Sequence, residues 1–170
     1  ITFLVEQLVI TKNIKMIYIK FFMKNNYINI YNTLINYTRN KDLYKSLNRS
    51  EIFSDRLVFF LIHFAFFLKN FKNEQNKAIL QEIYDFNFRQ LELSIREIGY
   101  GDQSINKKMK DYINLLHSII SEIHFWDKLK KDEKIQKLSV FLPDFHEIQN
   151  LTDYFDNFNE NLSKKNLNSF

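Results

Sequence analysis

No cysteine occurs in the 170 residues of this chain. A disulfide framework, a thiolate metal cluster and a cysteine nucleophile are therefore excluded, and a reducing compartment is permitted without being required. Glycine occurs only as Gly99 and Gly101, and proline only as Pro143. That is too little for the tight turns of an all-β chain or for a glycine-rich loop that cradles phosphate. The most apolar stretch, residues 57–68, is interrupted by His63 and falls well short of the about 20 apolar residues that a helix needs to span a bilayer. It reads as a buried core helix.

What is present is large and apolar. Hydrophobic residues make up 45% of the chain, with 18 Phe and 9 Tyr, enough to fill a core in a chain of this size, which buries roughly two-thirds of its extended surface. With so few turn formers, the composition predicts an all-α, single-domain helical bundle of about five to seven helices. The net charge of +4 is uneven: residues 1–50 hold eight Lys or Arg against two acids, whereas residues 141–170 hold two against five. The basic end could meet an anionic surface, lipid or RNA; alternatively, the Lys and Asn content follows from an AT-biased genome.

Residues 1–28 read as an N-terminal extension without a clean apolar face, and residues 29–165 as the helical domain. The extension lacks the Arg and Ser of a mitochondrial transit peptide, and its lysines interrupt any signal-peptide core. Neither targeting signal is recognised in it. Within the domain, short helices are expected over 29–39 and 41–47. A helix N-capped by Ser54, with Asp55 in its first turn, should run to about Asn70. A long helix over 74–98 carries Glu82, Asp85, Arg89, Glu92 and Arg96 in one stripe, with ion pairs expected at Asp85–Arg89 and Glu92–Arg96. Its wide apolar arc places it at the centre of the bundle. Gly99 should end it as a left-handed cap. Asp102 or Ser104 then starts a helix to about Lys128, with Ile105, Met109, Tyr112, Leu116, Ile119, Ile120 and Ile123 on one core face. Residues 128–137 form a charged stretch, and Pro143 with Asp144 opens a last helix through Phe145, Ile148, Leu151, Phe155, Phe158 and Leu162. The final residues should fray.

Few residues offer chemistry. His117 and His124 are separated by about 10.5 Å of helical rise, too far to share an ion. No HExxH pattern is present, so neither a metal nor a cofactor is expected. His63, inside the most apolar helix, reads as a core imidazole bonded to a carbonyl or a nearby acid. Acids alternate with Arg on the long helix, which favours ionised groups over a general acid. Lys107, Lys108 and Lys110 fall in the expected first helical turn, where the macrodipole disfavours cations. Either they face an anionic partner or they form a solvated face. Trp126 should be a boundary core residue.

The run Arg96-Glu97-Ile98-Gly99-Tyr100-Gly101-Asp102-Gln103-Ser104-Ile105-Asn106-Lys107-Lys108-Met109-Lys110 resembles the signature of the ubiquinol-cytochrome c chaperone family. Upstream, Tyr31-Asn32-x-Leu34 through Arg39 and Arg56-Leu57 through His63 are similar to two further family motifs in the same order. The resemblance covers about residues 30–128. The chain departs from the pattern at Val58, Gln90, Leu93, Asn106 and Asp111, where the family has charges or glycine.

The resemblance implies a non-enzymatic assembly chaperone of the cytochrome bc1 complex. Its client would be newly made cytochrome b, without a small-molecule substrate. Members in mitochondria work with a second, smaller assembly factor near the ribosome exit, and those in related bacteria stand alone. The expected location is thus the inner face of a bacterial membrane, with peripheral membrane contact, or alternatively the mitochondrial matrix. The corner of Arg96, Glu97, Asp102, Lys107 and Lys108 is the expected partner-binding surface, with a groove beside Arg56 and His63 as a further site. A helical module that binds RNA or anionic lipid through its basic face is the competing reading.

Overall fold

The computed structural model describes residues 26–47 and 49–167. The described part is all-α, with six α-helices and short 3-10 turns. The helices are α1 (26–38), α2 (Phe53–Phe71), α3 (Lys77–Glu97), α4 (Asp102–Ile123), α5 (Lys131–Ser139) and α6 (Ile148–Ser163). None is long and apolar enough to cross a membrane. The expected extension lies outside the described residues up to position 25, and its residues 26–28 are already helical; the expected frayed end at 168–170 also lies outside.

α1 buries Tyr27, Ile30, Leu34 and Thr38, spaced three and four apart as one helical stripe requires. The Tyr27 hydroxyl donates to Glu82 on α3 at 2.7 Å. The expected piece at 41–47 is a single 3-10 turn, Lys41–Tyr44, capped by the Asn40 side chain.

α2, rather than α3, is the central helix. Its near absence of charge lets it bury residues all round, from Leu57 to Phe71. Phe60 and Phe64 face Tyr31 and Tyr84 of α1 and α3, while Phe59 and Phe66 meet Phe155 of α6. α3 buries only the stripe Leu80, Ile83, Asn87, Phe88, Leu91 and Ile95; the aromatic residues that widen its apolar arc, Tyr84 and Phe86, stay half-buried at the rim. The Glu92–Arg96 pair forms at 2.8 Å. Asp85 instead accepts from the Gln81 amide, and no Asp85–Arg89 pair is present among the described residues.

α1 and α3 start three residues before and after the expected positions, at 26 and Lys77, and three further boundaries differ because a side chain outside the helix intervenes. Ser54 is not the N-cap of α2. The helix starts after Ile52, whose backbone N–H donates to Asp55, and Arg49 grips both Asp55 oxygens at 2.7 and 3.0 Å. α4 stops at Ile123, and a 3-10 turn, Trp126–Lys128, replaces its expected last turn. This turn buries the Trp126 ring completely and lets its indole N–H donate to Asp156 at 2.7 Å. The charged stretch is α5, which is held by Lys131 to Asp153, Lys134 to Asp156 and Lys137 to Glu122. Pro143 and Asp144 lie in the loop before α6, with Asp144 drawn to Arg49 at 3.2 Å. The apolar residues expected on the last helix are all buried nonetheless, Phe145 from the loop and the others from α6.

Candidate functional site

α3 and α4 form an antiparallel hairpin whose connection is only four residues long. Ile98 caps α3, Gly99 takes φ +98° and Gly101 opens α4 from an extended conformation. The left-handed region that Gly99 occupies is costly for any residue with a side chain, so this position turns the chain as expected. Arg96 spans the turn: it donates to Glu92 at 2.8 and 3.0 Å on its own helix, and to Asp102 at the start of the next. The two carboxylates raise the pKa of the guanidinium, chiefly through its hydrogen bond to Asp102. Lys108 reaches back from α4 and places its Nζ 4.5 Å from the centre of the Tyr100 ring, a cation–π contact that props the ring.

The sequence-predicted residues of this corner therefore divide. Arg96 and Asp102 clasp it, Lys108 supports Tyr100, and Glu97 and Lys107 are exposed. Because α4 begins at Asp102, Lys107, Lys108 and Lys110 stand in its second and third turns and not in its first, where the macrodipole no longer opposes them strongly. Over the corner and the first turns of α4, four cations (Arg96, Lys107, Lys108, Lys110) stand against four carboxylates (Glu92, Glu97, Asp102, Asp111), so the run carries no net charge. The apolar members were not identified from sequence: Ile98 is 53% and Tyr100 42% exposed. Their position beside two glycines, in a turn too short to bury them, was the available signal.

The same end of the bundle carries the start of α2, because α2 and α4 both run antiparallel to α3. Ile52 and Phe53 are exposed there, and Arg56 pairs with Glu51 at 3.1 Å while remaining largely in solvent. Arg56 thus stands at the start of α2 beside Glu51 and Tyr44. His63 lies apart from it. It is wholly buried two turns further along α2, so its ring cannot touch a partner in this state and it lines no groove with Arg56.

The surroundings of His63 define its protonation. Nδ1 lies 2.6 Å from the Phe59 carbonyl and Nε2 lies 2.8 Å from the Tyr154 hydroxyl. A carbonyl only accepts, so Nδ1 carries the proton and Nε2 accepts from Tyr154. The Tyr37 ring stacks on it at 5.5 Å, and Phe155 and Phe158 close the other sides. Burial without a compensating charge pushes its pKa down to about 4, against a smaller opposing effect of the Phe59 bond. A neutral, satisfied imidazole here joins α1, α2 and α6.

Two shallow clefts flank this region. One of about 270 Å³ lies between the 41–46 turn and α6, lined by Asp42, Lys45, Glu147, Asn150 and Tyr154. The other, of about 340 Å³, is lined by Tyr37, Phe158, Asn161, Leu162, Lys164 and Lys165. Ser46 also lines the first, where Lys45 is ion-paired with Asp42 at 2.6 Å and both side chains stand in solvent. Among the described residues, no three His, Asp or Glu side chains converge as metal ligands.

The model of the ubiquinol-cytochrome C chaperone family matches residues 45–123. The matched span ends on the last residue of α4 and contains α2, α3, the corner and Arg56. It leaves outside the Tyr31–Arg39 segment on which the resemblance also drew. No curated protein matches the chain, and no solved structure does.

Proposed function

We propose that this protein is an assembly chaperone of the cytochrome bc1 complex that holds newly made cytochrome b at the pole formed by the α3–α4 corner and the start of α2. The observation that carries the reading is the family match over residues 45–123, within which the exposed corner lies. The geometry supports binding over catalysis. A rigid three-helix unit presents a shaped end to solvent, and the ionisable groups of that end are ion-paired or solvated, as a docking surface requires. The balanced charges of the corner speak against RNA or anionic lipid as the principal partner, since either would need a continuous basic face. In this role the protein would work at the inner face of the membrane that houses the complex.

The test is a tagged full-length chain expressed in a bc1-containing bacterium that lacks its own copy. Cytochrome b should co-purify with the tag, and the amount of assembled bc1 complex should recover. Normal bc1 assembly in the strain without the chain would refute the reading.

A further inference from the structure

Among the described residues, the buried polar side chains are Thr38, Asp55, His63, Asn87, Thr152 and Asn159. All but one have partners. Thr38 and Thr152 donate to carbonyls about one turn back in their own helices. Asp55 accepts from Ile52 and Arg49, both ring nitrogens of His63 are engaged, and Asn159 donates to Asp127 and accepts from Asn70. Asn87 is the exception. Its amide nitrogen donates to the Ile83 carbonyl at 2.7 Å, but its wholly buried Oδ1 accepts from no group among the described residues. Exchanging the two amide atoms gives no remedy, because it would set the Asn87 oxygen against the Ile83 oxygen, acceptor against acceptor.

Asn87 sits midway along α3, on the stripe of Leu80, Ile83, Phe88, Leu91 and Ile95. It lies one turn beyond Tyr84, whose ring faces Phe64 of α2 and His117 of α4. A buried acceptor without a donor destabilises the folded state relative to any state in which water reaches it. A buried water is itself held by about three hydrogen bonds, and the other side chains of this stripe are apolar, so hydration of Oδ1 calls for an opening of α3. We infer that Asn87 is a point of yield built into the bundle: it lowers the free energy at which α3 parts from α2 and α4, so that α3 opens while the aromatic core between α2 and α6 stays folded. An apolar residue in its place would hold α3 more tightly, and Asn87 gives up stability there for local mobility. The inference does not depend on the chaperone reading.

The experiment compares the full-length wild type with Asn87→Leu by amide hydrogen exchange and thermal melting. Leu matches the shape of Asn and removes donor and acceptor together. In the wild type, amides over 84–91 of α3 should exchange roughly tenfold or more faster than those over 59–67 of α2. Asn87→Leu should slow exchange over 84–91 roughly tenfold and raise Tm by about 3 °C or more. If α2 and α3 of the wild type exchange together, α3 does not open on its own and the inference is overturned. An unchanged Tm in Asn87→Leu also overturns it, because Oδ1 is then satisfied in the folded protein. Should Leu lower Tm by misfit, Asn87→Ala decides, since it removes the acceptor and improves the helix propensity. Exchange over 84–91 no faster than in the wild type then supports the inference, and faster exchange overturns it.

Discussion

Acidification should loosen the junction of α1, α2 and α6 through His63. In the unfolded chain the imidazole titrates near 6.5, whereas burial lowers it to about 4 in the folded protein. Between these values the unfolded chain binds the extra proton, so stability rises with pH across this window. The contribution is fully present above 6.5 and is lost as pH falls toward 4. At about 1.4 kcal/mol per pH unit, the gap amounts to about 3 kcal/mol in full and to about 2 kcal/mol between pH 7 and pH 5. For a chain of this length that corresponds to a loss of about 4–8 °C in Tm. The assay is thermal melting followed by circular dichroism at both pH values. The control is His63→Phe with Tyr154→Phe, which removes donor and acceptor together and so leaves no orphaned polar atom in the core. The double variant should melt with a much flatter pH dependence. A wild-type Tm that changes by less than about 2 °C, or a double variant with an undiminished slope, would refute the argument that the buried neutral imidazole is linked to folding.

Gly99→Ala should lower stability by about 1 kcal/mol or more, because the cost of φ +98° falls on any side chain, although a new Cβ would meet no atom within 4 Å. Gly101→Ala, at φ −76°, should be close to neutral, and equal losses at the two sites would contradict the cap. Asp156→Ala removes the acceptor of the fully buried Trp126 N–H; it should cost roughly 1–3 kcal/mol and shift the emission of the single tryptophan to longer wavelength. Arg49→Ala frees Asp55 and Asp144 together and should lower Tm more than Lys45→Ala, whose solvent-exposed partner is Asp42. Equal melting of those two variants would show that the Arg49 bridge does not anchor the start of α2.

The helical class and the core were legible because apolar residues at three and four spacing leave few alternatives: the face read from α6 is buried, and of that read from α4 Ile105, Leu116, Ile119 and Ile123 are buried while Met109, Tyr112 and Ile120 pack half-buried against the core. What was not legible is set by side chains outside the helix concerned. Asp144 resembles a helix start until Arg49, 95 residues earlier, draws it into the loop. Ser54 is a good cap residue, but Asp55 takes the Ile52 N–H because Arg49 holds that carboxylate in place. Periodicity carries α4 toward Lys128, and only the Asp156 acceptor on α6 explains why the chain turns at Ile123 to sink Trp126. A helical wheel likewise counts the apolar arc of α3 without knowing which aromatic rings stay at the rim, and so it misplaced the centre of the bundle. At the corner the charged residues of one short run do lie around one turn, but that Arg96 is bound by Glu92 and Asp102 was not legible in full, because an ion pair within the corner and a contact with a partner look the same in sequence.

That ambiguity has a physical resolution in the corner itself. A four-residue link between two long helices can be made in many ways, and most would let the intervening side chains fold back or wander. Here Gly99 supplies a backbone angle open to few other residues, Arg96 ties the end of one helix to the start of the next, and Lys108 fixes the ring of Tyr100. Arg96 and Lys108 direct their charge into the corner. The result is that Ile98 and Tyr100 are held in one arrangement, and a partner docking there would meet them without the entropy of ordering a loop. Were a partner to dock here, the residues that build the surface and those that touch the partner would be different sets within one short run: Arg96→Ala should weaken binding by letting the turn relax, whereas Ile98→Ser should weaken it with the turn intact.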